Sequence, residues 1–152
     1  MNLLMKMVEK YIPYCLGLLF PGMVFLWNVS PSKLANYKEL LSAAISVGSI
    51  GVGFLAAAIT LMPSLTGRKI VEQFKQIGAL DKLLDYLIAG VIWLFLCSFL
   101  SVLGLFLNPA NDSAADYIFL YSWLTVFGIS MCVAGRVIIA FIIFLKLSHK
   151  LE

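Results

Sequence analysis

Residues 40–65, LLSAAISVGSIGVGFLAAAITLMPSL, contain no charged side chain. A hydrocarbon core roughly 30 Å thick takes about 20 apolar residues of helix, so this run is long enough to cross it. Read at heptad spacing it presents Ser42, Ser46, Ser49, Gly53, Ala56 and Thr60, every one small and most of them hydroxyl-bearing. Helices in lipid gain no hydrophobic attraction from one another. Close backbone approach at small residues and hydrogen bonds from Ser and Thr supply it instead. The stripe is therefore expected to touch another helix. One reading is packing within or between subunits. The other is that the hydroxyls line an aqueous path at the axis of an oligomer.

Three further apolar runs accompany this one, and the chain is 62% hydrophobic with 12% charged residues and a mean hydropathy of +0.99. That balance lies outside the soluble globular range. The expected fold is all-α: a single transmembrane domain over residues 1–152, with spans at about 11–27, 40–65, 83–107 and 117–145. Little chain remains for a soluble enzymatic domain. The first run, with Pro13 and Pro21, is read as a span rather than a secretory leader, because no convincing cleavage pattern follows it. Pro21 removes a backbone donor and crowds the Gly17 carbonyl, so a kink is expected there. Residues 1–10 are read as an interfacial segment.

Loop charge predicts the orientation. Lys6, Lys10, Arg68, Lys69, Lys75, Lys82, Lys146 and Lys150 fall on one side, against Lys33 and Lys38 on the other. By the positive-inside rule both termini are cytoplasmic. Tyr11, Tyr14 and Tyr86 are placed near the inner boundary, and Trp27, Tyr117, Tyr121 and Trp123 near the outer one, as interfacial aromatics.

Between the second and third spans, residues 66–81 interleave Arg68, Lys69, Glu72 and Lys75 with Ile70, Val71, Phe74 and Ile77. The pattern predicts a basic amphipathic helix ending near Gly78, with Asp81 as N-cap of the third span. Such a helix neutralises anionic lipid, docks a cytoplasmic protein, or merely connects two spans. Arg68, Lys69, Phe74, Lys75 and Ile77 are its candidate partner-docking residues.

The third span repeats the small-residue spacing with Gly90, Leu94, Cys97, Ser101 and Gly104, and the fourth with Thr125, Gly128, Cys132 and Gly135. A four-helix bundle is the simplest expectation. Arg136 is the one charge well inside an apolar run, and a charge at that depth is a functional candidate. If the fourth span begins at Tyr117, Arg136 stands near the inner boundary, level with Asp85, and an ion pair between them becomes possible; if it ends at Lys146, Arg136 lies deep in the span.

No nucleophile, base and orienting acid converge in the sequence, and no phosphate-binding glycine loop follows a strand. Three scattered cysteines and the single His149 offer no metal-ligand spacing. The expectation is a non-enzymatic protein without cofactor, metal or direct nucleic-acid contact.

In length, in the segment SAAISVGSIGVGFLAAAIT and in GRKIVEQFKQIG before the third span, the chain resembles small four-span membrane proteins of phage exclusion and defence, the KwaA (Kiwa-type) and RexB families. The resemblance implies an oligomeric subunit of a bacterial inner membrane, acting on infection in one of two ways. In the first it is a sensor and scaffold that holds a cytoplasmic effector protein. In the alternative it is an ion-conducting pore that depolarises the membrane.

Overall fold

The computed structural model describes residues 3–27, 30–31, 34, 36–65, 78–107 and 113–150. All regular structure among them is helical: α1 (Leu3–Leu26), α2 (Tyr37–Leu65), α3 (Ala79–Phe106) and α4 (Ala114–Lys150). Three stretches are long and apolar enough to cross a membrane: Tyr37–Leu61, Leu80–Phe106 and Ala114–Phe144. The apolar part of α1, Ile12–Val24, is shorter. α1 runs through both Pro13 and Pro21 without a break in its assignment.

Three helices begin a few residues before the sequence-predicted starts, and local chemistry explains two of them. α3 starts at Ala79 behind Gly78, whose φ of 67° is left-handed, a conformation glycine enters without steric cost. Asp81 is therefore not the N-cap; it lies in the first helical turn, where a carboxylate meets the positive end of the helix dipole. α4 starts at Ala114, not Tyr117, because Ser113 and Asp116 form a capping box. Ser113 N and Oγ donate to Asp116 Oδ2 at 3.0 and 2.8 Å, and Asp116 N donates back to Ser113 Oγ at 3.3 Å.

The tight pairings are α2 with α3, α3 with α4, and α1 with α4. Each pair is antiparallel, and α3 and α4 each take part in two of the three pairs. Among the described residues α1 and α2, although consecutive, do not form a tight pair. Small residues mark two of these pairings. A Cβ on Gly17 would lie 2.6 Å from the backbone nitrogen of Ile129, and one on Gly128 would lie 2.5 Å from the Gly17 carbonyl oxygen. Two backbones thus touch at the α1–α4 crossing. At the α2–α3 pairing Gly48 of α2 abuts Ser98 and the Leu94 carbonyl, and Gly51 abuts the Leu94 side chain.

Two apolar clusters fill the interior. One gathers Leu55, Ala58, Leu83, Leu87, Leu94, Val137 and Phe144; the other joins Tyr37, Leu41 and Ala44 of α2 to Leu120 and Trp123 of α4. A polar layer clamps α3 to α4. Trp123 Nε1 donates to Ser101 Oγ at 2.7 Å, and that hydroxyl donates to the Cys97 carbonyl at 2.8 Å. Ser130 Oγ lies 2.8 Å from the Trp93 carbonyl on α3 and 2.6 Å from the Val126 carbonyl on its own helix, so one proton serves both. Hydrogen bonds of this kind in membrane proteins contribute about 0.6 kcal/mol on average.

Candidate functional site

The small-residue stripe of α2 lies on the outside of the fold. Ser42, Ser46, Ser49, Gly53, Ala56 and Thr60 are all exposed, while Leu41, Ala44, Gly48, Leu55 and Ala58 are the buried positions of the same helix. At about 100° per residue the two sets point roughly 150° apart. The stripe thus lies away from the packed side of α2, with Ser49 at its edge beside α3. A Cβ on Gly53 would meet nothing within 4 Å. α2 is thus smooth on two sides, one gripping α3 and the other open.

The hydroxyls on the open side are handled in two ways. Ser46 Oγ donates to the Ser42 carbonyl at 3.0 Å and Thr60 Oγ1 to the Ala57 carbonyl at 2.8 Å, so both are satisfied by their own helix. Ser49 instead lines a groove between α2 and α3, about 340 Å³ in volume, with Ile45, Phe95, Ser98, Phe99 and Val102. Within it the buried Ser98 Oγ has no hydrogen-bond partner. In hydrocarbon no water is at hand to supply one, and an unmet hydroxyl costs free energy there.

Arg136 is half-buried on α4, and its guanidinium carbon stands 4.0 Å from the centre of the Tyr86 ring on α3. The cation is held over an aromatic face, an arrangement contributing about 0.5–2 kcal/mol. Asp85, the neighbour of that tyrosine, is exposed. Sequence spacing had brought the right turn of α3 to Arg136, and the structure puts the ring there.

The third-span stripe is wholly buried: Gly90, Leu94, Cys97, Ser101 and Gly104 all face the interior. Trp123, expected among the outer interfacial aromatics, is 1% exposed, because its N–H is spent on Ser101 and its ring stacks on Phe127 at 5.4 Å. Ser130, not singled out by sequence, is fully buried and reaches across to Trp93. The candidate docking residues Arg68, Lys69, Phe74, Lys75 and Ile77 lie outside the described residues. Among the described residues no three His, Cys, Asp or Glu side chains come together, and Cys15, Cys97 and Cys132 are free thiols.

Compared with models of protein families, with curated proteins and with solved structures, the chain matches none.

Proposed function

We propose that the protein is a non-enzymatic membrane subunit that assembles with copies of itself through the outer face of α2 and serves as a sensor and scaffold in antiphage defence. The observation that carries the assembly is the outward stripe of Ser42, Ser46, Ser49, Gly53, Ala56 and Thr60 beside a groove holding the unpartnered Ser98 hydroxyl. A second copy laid along this face gains close backbone contact and brings hydroxyls to meet one another, the two sources of attraction that lipid leaves available. The defence role rests on the resemblance in length and segment pattern to phage-exclusion proteins.

In this reading both termini face the cytoplasm of a bacterial inner membrane, because Lys and Arg crowd the corresponding loops. Arg68, Lys69 and Lys75, with Phe74 and Ile77, then present charge and apolar surface to a cytoplasmic effector. The pore remains the competing reading of the same stripe. Ser46 and Thr60 favour the scaffold, since hydroxyls turned back onto their own carbonyls suit helix contact better than a water-filled path.

Disulfide capture in native membranes tests the assembly. In a variant with Cys15, Cys97 and Cys132 replaced, Ser49→Cys is expected to yield a covalent dimer on mild oxidation. Ile143→Cys, exposed on α4, is expected to yield little. Equal capture at the two positions would refute the assignment of α2 as the assembly face.

A further inference from the structure

α3 carries a counterpart to the α2 stripe on its own outer side. Ile88, Ile92, Phe95, Phe99, Val102 and Phe106 follow one another at alternating steps of four and three residues, the spacing of the stripe itself. All are large, and they are between 40% and 83% exposed. This ridge and the stripe flank one groove of about 340 Å³, with Ser49 on one wall and Phe95, Phe99 and Val102 on the other. The antiparallel register of α2 on α3 is fixed where Leu94 fills the space at Gly51, and where Leu55 and Leu41 fill it at Gly90 and Gly104. On that register Ile88, Ile92, Phe95, Phe99 and Val102 stand within about one residue's rise, roughly 1.5 Å, of the levels of Ala56, Gly53, Ser49, Ser46 and Ser42. Large side chains on one helix thus match small ones on the other level for level, yet in the single subunit both rows are left uncovered.

Given assembly through α2 as proposed above, we infer that a second copy covers this whole face, with the α3 ridge of each copy seated in the α2 stripe of the other. The copies are related by a two-fold axis running along the helices through the groove. Rotation about such an axis leaves levels unchanged, so Phe99 meets the partner's Ser46, Phe95 the partner's Ser49 and Ile92 the partner's Gly53. It also sets α3 against the partner's α2 on both sides of the axis, the self-complementary contact that a two-fold dimer requires. The available area fits this occupant. At about 200 Å² for a whole large side chain, the exposed part of one ridge is about 650 Å². The two ridges of a dimer together present about 1,300 Å², inside the range of about 1,200–2,000 Å² buried by stable protein assemblies. The groove adds an independent sign, since the Ser98 hydroxyl in its wall is buried and has no hydrogen-bond partner. Acyl chains filling the groove bring nothing for that hydroxyl to bond, whereas a second copy brings the Ser46 and Ser49 hydroxyls to the same groove.

Disulfide capture in native membranes between two differently tagged copies tests it, each copy having Cys15, Cys97 and Cys132 replaced and carrying one new cysteine. Ser46→Cys on one copy with Phe99→Cys on the other is expected to give a covalent dimer bearing both tags. Its yield should be several times that of Ser46→Cys with Ile143→Cys, which stands exposed on α4. Size exchange gives a readout independent of oxidation: in native mass spectrometry, the dimer lost in Gly53→Leu should return in Gly53→Leu/Ile92→Ala, because the partner's shortened ridge makes room. Both positions are exposed, so the subunit's own melting temperature should hold. Equal yields from the two mixed pairs would overturn the contact of ridge with stripe, as would a folded Gly53→Leu/Ile92→Ala that stays monomeric. If Ser49→Cys alone still captures a dimer while the mixed pairs are equal, assembly through α2 stands and only its α3 partner is removed. Absence of capture at Ser49 as well would remove both.

Discussion

Replacing Gly17 with Ala places one methyl where two helix backbones touch. The new Cβ would stand 2.6 Å from the Ile129 nitrogen and 2.7 Å from its Cα. Ordinary contact between such atoms is about 3.5–4.0 Å, so α1 and α4 must part by about 1 Å. Backbone cannot rotate aside as a side chain does. Overpacking of this sort costs about 1–3 kcal/mol, against a helix-propensity gain for Ala over Gly of about 1 kcal/mol, so the net runs from about zero to a loss of about 2 kcal/mol. Gly22 on the same helix supplies the control, since a Cβ there meets nothing within 4 Å. Gly22→Ala should be neutral or stabilising. Unfolding of both variants by SDS titration in mixed micelles, followed by circular dichroism, reads the difference directly. Equal stability of the two would refute the backbone contact between α1 and α4.

Ser101→Ala strands the buried Trp123 indole N–H and should destabilise by about 1 kcal/mol or more, while adding Trp123→Phe to it should recover part of the loss; the same SDS titration measures both. Cysteine placed at Ser113, in the turn before α4, should react with an impermeant maleimide from outside intact cells, and labelling from the cytoplasmic side alone would invert the orientation. Reversing Arg68, Lys69 and Lys75 to Glu should abolish co-purification of an acidic cytoplasmic partner while leaving the protein in the membrane; unchanged capture would assign these charges to lipid.

Run length alone made α2, α3 and α4 legible, because a charge-free stretch of span length has few other uses. The α3 stripe was legible too, since Gly90, Ser101 and Gly104 recur at the spacing that faces a partner helix. What heptad spacing could not decide is which side of α2 turns inward. A soluble helix betrays its inner face by being apolar there and polar elsewhere. In α2 both faces carry small residues, Ala44, Gly48 and Ala58 on one and Ser46, Gly53 and Ala56 on the other, so small size does not mark the inner side. The burial of Trp123 was not legible for a related reason: its partner Ser101 is remote in sequence on another helix. The Ser113-x-x-Asp116 box was readable as a helix start, but the aromatic Tyr117 drew the boundary inward. Arg136 was matched to the right turn of α3, but the Tyr86 ring that meets it there was not foreseen, because a carboxylate and an aromatic ring both attract a guanidinium and spacing does not distinguish them.

Assembly through the open face of α2 is tested most directly at Gly53, where an added Cβ meets nothing within 4 Å. Native mass spectrometry from a mild detergent, with a melting curve of the same samples, should show an oligomer for the wild type. For Gly53→Leu it should show a shift toward the monomer at an unchanged subunit melting temperature. A wild type that is monomeric, or a Gly53→Leu variant that assembles as well as the wild type, would contradict the account.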